Sequence, residues 1–327
     1  NERSNAQPIV VNHIKGSMAL AHNGNLINSY ELRSEFEAKG SIFHTTSDTE
    51  VIAHTIIEER LKADTIEEAV CEAMNRIKGA YSMVIMSPQK LIAARDKNGF
   101  RPLCYGKTAN GEYVVASESC SLDSVGAEFI RDIEKGEIVV FGKDGITSIK
   151  KHCNKSKQTL CVFEYIYFAR PDSIIDGKNV YEARIKAGEI LAKEHPVNAD
   201  IVVGVPDSGL DAALGYSKAS GIPYGIGLIK NKYIGRTFIH PEVKSRMDKV
   251  KIKLNPMANV VKGKRVILID DSIVRGTTSG RIVKLLREAG AIEVHMRVSA
   301  PPFVNPCYYG IDIDSKDNLI ACKYTIE

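Results

Sequence analysis

The sequence predicts a two-domain protein, α+β in its first half and α/β in its second, and three observations support this fold class. The chain has 327 residues, which is enough for two domains that each bury a core. In the first half, short strand-like runs mix with capped helices without strict alternation, which predicts packed layers. In the second half, apolar runs such as Ile201–Val205 and Val266–Ile269 alternate with helical patterns, as in a parallel sheet covered on both faces.

Composition argues against nucleic-acid binding and membrane insertion. The 44 basic and 40 acidic residues leave a net charge of +4, so no large basic field is expected. No apolar run approaches the roughly 18 residues of a membrane span, and no signal peptide is visible. The 7 cysteines contain no CxxC pair, which is typical of a reducing compartment. We therefore predict a cytoplasmic protein without nucleic-acid or membrane partners.

Two helix starts are predicted in the first half. Thr65 and Glu68 have the spacing of a capping box, in which hydroxyl and carboxylate satisfy each other's backbone N–H groups, and Gly79 is expected to end that helix. Ser47 and Glu50 predict a second capping box. Strands are predicted at Tyr81–Met86, Leu91–Ala94 and Glu112–Ala116.

In the second half, helical and strand patterns alternate. Further elements are expected as helices at Tyr181–Lys193, Leu210–Ser220 and Thr278–Ala289, and as a strand at Val294–Val298. A basic, polar run at Lys150–Lys157 separates the two halves. We therefore predict domains at 1–150 and 160–327, joined by a linker at 151–159.

The strongest functional signal is the run Val266–Ser279. A buried strand there delivers two acids, Asp270 and Asp271, to the carboxyl edge of the sheet, where open α/β sheets bind ligands. The turn Gly276–Ser279 then opens a helix, whose N–H groups and dipole favour an anion. Acids for ribose hydroxyls or Mg²⁺ beside a phosphate cradle predict a sugar-phosphate site. The alternative is an acidic strand end followed by a polar helix cap.

This run resembles the phosphoribosyl-diphosphate (PRPP) signature of type I phosphoribosyltransferases. The resemblance implies the parallel α/β sheet of that family and a Mg²⁺-dependent PRPP site. It also implies that Asp270 and Asp271 address the ribose hydroxyls and Mg²⁺. The remaining PRPP-binding residues that it implies in this run are Ser272, Arg275, Gly276, Thr277, Thr278 and Ser279.

Two further segments fit the same site. Val205–Gly209 follows a strand and offers Asp207 for PRPP and Ser208 for PRPP and Mg²⁺, although alone it is also an ordinary strand-to-helix turn. Lys230–Ile239 resembles the start of the loop that closes over PRPP in amidophosphoribosyltransferases. Such a lid would keep water from a reactive ribosyl centre. The PRPP contacts implied here are Lys230, Tyr233 and Arg236, and Lys253 farther along the chain.

In the first half, Ala21–Leu26, with His22–Asn25 at its centre, resembles the glutaminase domain of N-terminal-nucleophile (Ntn) amidotransferases, which fold as αββα layers. The resemblance implies an oxyanion hole made by the Asn23 side chain and the Gly24 backbone N–H. Taken alone, these four residues are also a good turn sequence. Thr45–Glu50 matches the same family and implies that Asp48 binds the α-amino group of glutamine, although Asp48 also suits the first turn of a helix.

Two cysteines and the chain ends carry further implications of the resemblance. Cys161 and Cys307 match two of the four cysteines that hold a [4Fe–4S] cluster in one branch of the family, and the other two would lie beyond Glu327. Because the chain begins at Asn1 without Met, we expect both ends to be cuts in a longer product. The family's glutaminases use an N-terminal cysteine, so the glutaminase half-reaction is expected to be absent from this fragment.

The resemblance to amidophosphoribosyltransferases covers essentially the whole chain. It implies a pentosyltransferase that transfers ammonia from glutamine to PRPP, giving 5-phosphoribosylamine, glutamate and diphosphate, the first step of purine (IMP) synthesis. Inhibition by purine nucleotides and a homotetramer are also implied. Two alternatives are a PRPP-sensing regulatory protein without catalysis and a glutaminase-fused sugar-phosphate aminotransferase. The second alternative should lack the Asp270–Ser279 signature.

Overall fold

The computed structural model describes residues 3–231, 254–311, 313 and 315–324. The chain divides into two compact units, and each is built from more than one stretch of sequence. The first unit comprises Asn1–Val162, Ser173–Gly177 and Cys307–Ile313, and the second comprises Phe163–Asp172, Lys178–Pro306 and Asp314–Glu327.

Helices and strands occur in both units. The α-helices in the described residues are α1 (Ser29–Ala38), α2 (Asp48–Lys62), α3 (Ile66–Arg76), α4 (Ser119–Ser124), α5 (Val180–Glu194), α6 (Gly209–Ser220), α7 (Ala258–Val261) and α8 (Thr277–Glu288). Short 3-10 helices occupy Arg3–Asn5, Lys316–Asn318 and Ile320–Cys322, and a π-helical segment occupies Glu164–Phe168. The strands are β1 (Ile9–His13), β2 (Gly16–Leu26), β3 (Gly79–Met86), β4 (Leu91–Arg95), β5 (Cys104–Thr108), β6 (Tyr113–Ala116), β7 (Ala127–Asp132), β8 (Ile138–Gly142), β9 (Gly145–Ile149), β10 (Ile174–Ile175), β11 (Lys178–Asn179), β12 (Ile201–Gly204), β13 (Leu228–Lys230), β14 (Leu254–Pro256), β15 (Arg265–Asp270) and β16 (Glu293–Val298).

The first unit is built as packed layers. An antiparallel six-stranded sheet, β1-β2-β3-β4-β8-β9, lies beside an antiparallel three-stranded sheet, β6-β5-β7. On β4, Ala94 joins the core formed with α1, α2 and α3, while its neighbour Ala93 joins the core between the sheets together with Tyr105. On β5, Cys104 faces the other way and packs with Leu122 of α4. This alternation with a period of two produces the αββα layering that the resemblance implied.

The second unit is built on a parallel sheet in the order β12-β15-β16. Leu268 of β15 packs on one face with Ile282 of α8, and Ile269 packs on the other face with Tyr216 of α6. Both faces of the central strand are therefore buried, which explains why its sequence is an uninterrupted apolar run. The predicted helices and strands of this half are confirmed, with small shifts at their ends.

One predicted capping box is wrong. The Ser47 hydroxyl does cap α2, because it accepts the Thr49 N–H at 3.2 Å. Glu50 does not return that bond; its carboxylate accepts the N–H groups of His44 at 3.0 Å and Thr45 at 2.8 Å. The buried carboxylate thus accepts several N–H groups of the preceding loop, whereas in the expected capping box it would have accepted only the N–H of Ser47.

Gly79 does not end a helix, contrary to the prediction. Helix α3 ends at Arg76, with Ile77 as its extended C-cap residue. Gly79 is the first residue of β3 and pairs with Leu26 of β2. The glycine therefore belongs to the sheet, and its position after an amphipathic helix was a misleading signal.

The capping box at Thr65 is confirmed and allows a stability prediction. The Thr65 hydroxyl accepts the Glu68 N–H at 3.3 Å, and the Glu68 carboxylate accepts the Thr65 N–H at 3.2 Å. We expect Thr65→Ala to lower the free energy of unfolding by about 1 kcal/mol, measured by urea denaturation. Thr147→Ala, at an exposed position of β9, serves as the control and should change it by less than about 0.5 kcal/mol. Equal losses in the two variants would contradict a role for the cap.

None of the helices in the described residues combines the length and the apolar character that a membrane span needs.

Candidate active sites

Two buried aspartates lie at the carboxyl end of β15 in the second unit. Asp270 is the last residue of the strand and Asp271 follows it, and each is 7% exposed. The Asp271 carboxylate accepts the hydroxyls of Ser208 and Ser272, each at 2.8 Å, and Asp270 Oδ1 accepts the Asp271 N–H at 3.0 Å. A hydrogen-bonded group of acids and hydroxyls is therefore gathered at this edge of the sheet.

The electrostatics of this pair suit a divalent cation. Burial, followed by the charge of Asp271, raises the pKa of Asp270 to about 8. A nearby positive charge would oppose both causes and favour the ionised form of Asp270. Mg²⁺ prefers oxygen ligands and commonly takes one or two carboxylates together with substrate oxygens. Asp270, Asp271 and Ser208 therefore offer a donor set of the right chemistry for this ion.

The loop between β12 and α6 brings Ser208 to the acid pair. The Val205 N–H donates to the Ile269 carbonyl at 2.8 Å, and a Cβ added to Gly209 would lie 2.5 Å from the same oxygen. Because β12 and β15 are parallel, their following loops emerge at the same sheet edge. Glycine at 209 thus permits the close approach that places the Ser208 hydroxyl on Asp271.

A charged pair borders the same loop. The Lys230 ammonium at the end of β13 forms an ion pair with the Asp207 carboxylate. The Lys230 side chain is 38% exposed and that of Asp207 is 70% exposed, so both remain accessible to a ligand. The predicted lid residues Tyr233 and Arg236, and the predicted PRPP contact Lys253, lie outside the described residues.

The predicted phosphate cradle forms the start of α8. Gly276 is the N-cap residue, and Thr277 begins the helix. Ser279 is buried in the first turn, Thr278 is half-buried, and Arg275 is exposed just before the cap. The first N–H groups of a helix have no partner within it, and they lie at the positive end of its dipole. This turn therefore has the chemistry of an anion site a few residues beyond the acid pair.

In the first unit, the segment His22–Asn25 lies within strand β2, so its interpretation as a turn is wrong. Gly24 pairs with Tyr81 of β3. It has φ +148°, and a Cβ added to it would lie 1.9 Å from the carbonyl oxygen of Ala80. Glycine is therefore required for this backbone approach. Asn23, directly before it, has an exposed side chain.

Residues from the far end of the chain complete this part of the first unit. The Asn25 side-chain amide donates to the Tyr308 carbonyl at 2.9 Å, and the rings of Phe100 and Tyr309 stack with centroids 4.5 Å apart. A Cβ added to Gly310 would lie 3.4 Å from the backbone of Gly24. The sequence offered no signal for these contacts, because the residues that meet are distant in the chain.

Asp48 is tied to the same strand. It is the first residue of α2, and its Oδ2 accepts the Leu26 N–H at 2.9 Å. Leu26 stands two positions beyond Gly24, so the predicted α-amino binder and the predicted oxyanion hole are linked through one strand. A small pocket lies beside the carboxylate, and its lining residues are Ser29, Tyr30, Arg33, Thr46, Ser47, Asp48 and Val51.

His22 is a neighbour of Asp48 that the sequence interpretation did not single out. Its Nδ1 lies 3.3 Å from Thr49 Oγ1 and 3.7 Å from Asp48 Oδ1. Burial lowers the pKa of His22, and the Asp48 carboxylate opposes that shift. Its position directly before Asn23 was the one feature of the sequence that could have pointed to His22 as a residue of this site.

The two cysteines of the predicted cluster both belong to the first unit and are half-buried. Cys307 Sγ accepts the Tyr309 N–H at 3.4 Å, and the Cys161 N–H donates to the Phe100 carbonyl at 3.0 Å. Across the described ranges, no three or more His, Cys, Asp or Glu side chains are gathered as a metal-binding group. A [4Fe–4S] cluster takes four thiolates, so the residues present do not by themselves fit it.

Comparison with known proteins identifies the family. A Glutamine amidotransferase domain model matches residues 1–124, and a Phosphoribosyl transferase domain model matches residues 173–313. The amidophosphoribosyltransferases of Archaeoglobus fulgidus and Bacillus subtilis are each 49% identical over 99% of this chain, which covers 70% and 67% of those proteins. The chain belongs to the amidophosphoribosyltransferase family. This membership confirms the resemblance and the fold class predicted from the sequence.

Solved structures agree with the amidophosphoribosyltransferase assignment. The glutamine PRPP amidotransferase of B. subtilis, complexed with ADP and GMP, matches with a TM-score of 0.91 and 49% identity, over 99% of this chain and 70% of that one. A structure described as the allosteric regulatory enzyme of purine biosynthesis matches with a TM-score of 0.90 and 49% identity, over 98% and 69%. The amidophosphoribosyltransferase fold therefore extends through both units.

Proposed function

We propose that this chain supplies the transferase site and part of the glutamine site for the amidophosphoribosyltransferase reaction, in which ammonia from glutamine displaces diphosphate from C1 of PRPP. The products are 5-phosphoribosylamine, glutamate and diphosphate, and the reaction opens purine (IMP) synthesis. The observation that carries the proposal is the buried acid pair at the end of β15, bonded to Ser208 and followed by the start of α8. A PRPP sensor without catalysis is not favoured, because it would not need a glutamine amidotransferase domain.

In the transferase half, each group has a role that follows from its chemistry. The carboxylates of Asp270 and Asp271 orient the ribose by accepting hydrogen bonds from its hydroxyls, and with Ser208 they would hold Mg²⁺. When bound, the ion neutralises negative charge on the departing diphosphate. The N–H groups and hydroxyls of Gly276–Ser279 bind the 5′-phosphate, and Arg275 adds positive charge beside them. Fixing the sugar between these groups lowers the entropy cost of the displacement.

In the glutamine half, the strand β2 supplies the groups that stabilise charge. In protein that carries the family's N-terminal cysteine, its sulfur attacks the amide carbon of glutamine, and the Asn23 side-chain amide and the Gly24 N–H donate to the resulting oxyanion. Ammonia then leaves, and water hydrolyses the acyl-enzyme to glutamate. Asp48 binds the α-amino group, because the Leu26 N–H occupies only one of its carboxylate oxygens. Ammonia released here is the nucleophile of the second half.

Asp48→Asn tests the glutamine site. We expect it to raise KM for glutamine by about 10- to 100-fold, because a hydrogen bond between two charged groups is lost. The rate with added ammonia should stay within about twofold of the parent, since the transferase half is untouched. The assay uses protein expressed from the full open reading frame, with glutamate release as the readout.

Asp144→Asn, at an exposed position between β8 and β9, is the matched control and should keep the parental KM. If Asp48→Asn also keeps it, the assignment of the glutamine site is wrong.

We further propose that residues 1–150 form the glutaminase domain and 160–327 the transferase domain, with 151–159 between them. The match of the two domain models to residues 1–124 and 173–313 supports this division. Cys161 and Cys307 are proposed as two of four [4Fe–4S] ligands in the intact protein. Iron and sulfide analysis of purified protein, with Cys307→Ser as a comparison, checks this assignment.

Regulation and location complete the proposal. Purine nucleotides are proposed as inhibitors, because a relative of known structure is complexed with ADP and GMP. A homotetramer in the cytoplasm is proposed from the family resemblance. Inhibition of the ammonia-dependent rate by GMP tests the regulation. Light scattering of the purified protein tests the homotetramer.

A further inference from the structure

The carboxylate of Asp48 meets a different group at each of its two oxygens. Oδ2 accepts the Leu26 N–H at 2.9 Å, and Oδ1 lies 3.7 Å from His22 Nδ1. The imidazole is 1% exposed, whereas the Asp48 side chain is 18% exposed. One side of the carboxylate is therefore covered by a buried ring, while another side remains open to a ligand.

The His22 ring is itself held in place by the cap of α2. Nδ1 lies 3.3 Å from Thr49 Oγ1, and the Thr49 hydroxyl is 3.0 Å from the Ser47 hydroxyl that caps the helix. Thr49 is 0% exposed, so water does not compete for these contacts. The ring thus joins strand β2 to the first turn of α2 at the residue beside Asp48.

We infer that His22 is a positioning residue for glutamine, which aims the Asp48 carboxylate at the substrate α-amino group through Nδ1. The inference rests on the proposed glutamine site and adds a residue to it. The Leu26 N–H holds Oδ2, and the buried ring beside Oδ1 limits the directions in which the carboxylate can turn, so its orientation suits a charged hydrogen bond to the substrate. His22 does not contact the reacting amide in this account, so its effect falls on binding and not on the chemical step.

A core histidine without this role would also be buried, so the test must separate the two cases. A structural residue affects every ligand of the site equally. A residue that aims Asp48 affects only ligands that carry an α-amino group. L-glutamine and glutaramate, which is glutamine without its α-amino group, differ by this group alone.

The experiment measures KM and kcat for L-glutamine and the inhibition constant of glutaramate, using protein from the full open reading frame. We expect His22→Leu to raise KM for L-glutamine about tenfold, with kcat within about threefold and glutaramate binding unchanged. His22→Asn places an amide nitrogen near the position of Nδ1 and should restore most of the affinity. His22→Gln places it near Nε2 and should not.

The outcomes distinguish the inference from the proposed function. Equal losses for both ligands in His22→Leu, or equal behaviour of the Asn and Gln variants, overturn the positioning role. If His22→Leu fails to fold, the comparison of His22→Asn with His22→Gln decides. Asp48→Asn is the reference: if it leaves the preference for L-glutamine over glutaramate unchanged, the glutamine site itself is wrong. If it removes that preference and His22→Leu does not, only the role of His22 is lost.

Discussion

Asp270→Asn and Asp271→Asn are each expected to lower the ammonia-dependent release of diphosphate from PRPP by a factor on the order of 10² to 10³. Each change removes a negative charge at the end of β15, where Mg²⁺ and the ribose hydroxyls are proposed to bind. The measurement is diphosphate release with Mg²⁺, PRPP and ammonium, which does not depend on the glutamine half. Unchanged release in both variants would show that the acid pair is not the PRPP site.

Asp200→Asn is a matched control at the opposite edge of the sheet, where Asp200 directly precedes β12. Its carboxylate bonds to Arg265, the first residue of β15, at 2.7 Å. We expect this variant to retain the parental rate.

Thermal stability provides a second check on Asp270→Asn. Because the pKa of Asp270 is raised to about 8, the folded protein loses stability as pH rises toward that value, and asparagine avoids this loss. Asp270→Asn should therefore melt at or above the parental temperature at pH 9 without Mg²⁺. That result would show that unfolding is not the cause of its lost activity.

Gly24→Ala is expected to have the largest effect on stability. Its Cβ would lie 1.9 Å from the Ala80 carbonyl oxygen, and φ at this position is +148°. Strands β2 and β3 would have to separate locally, which we expect to lower the free energy of unfolding by about 3 kcal/mol. In protein from the full open reading frame, glutamine-dependent activity should be lost as well, since the proposed oxyanion donor moves. Urea denaturation and glutamate release measure the two effects.

Gly16→Ala separates the steric clash from the backbone conformation. Gly16 lies in the same strand with φ +123°, but a Cβ added there meets nothing within 4 Å. We expect a loss of about 1 kcal/mol from strain alone. Should the two variants unfold at the same urea concentration, the close approach of Ala80 would not be the reason for glycine at 24.

Local patterns predicted the transferase half well. The strand β15 was predictable because both of its faces are buried, which produces a continuous apolar run, and the acids and glycine turn follow it directly in sequence. The hydrogen-bond partner of Asp271, Ser208, was harder to predict from local patterns. The hydrogen bond from Ser208 to Asp271 spans 63 positions, and it exists because β12 and β15 are neighbours in the sheet. Sequence proximity alone does not contain that pairing.

The glutamine half shows where local signals mislead. His22–Asn25 has turn-forming residues, yet it pairs along β3, because sheet context overrides intrinsic preference. Glu50 has capping-box spacing, yet its buried carboxylate bonds to the backbone of His44 and Thr45. In both cases the competing partners come from the folded surroundings. The contact of Leu26 with Asp48, which links the two predicted functions, is likewise a product of folding.

The return of residues 307–313 to the first unit affects how that unit can be made. The Asn25 amide finds its acceptor, Tyr308, 283 positions later in the chain. The ribosome must therefore synthesise most of the chain before Asn25 of the proposed oxyanion strand can bond to Tyr308. Contacts between residues so far apart in sequence slow folding. Truncation at Val162 would leave Phe100 without the ring of Tyr309 beside it. A shortened chain made to study the first unit alone should therefore include residues 307–313, either fused to its end or added as a separate peptide.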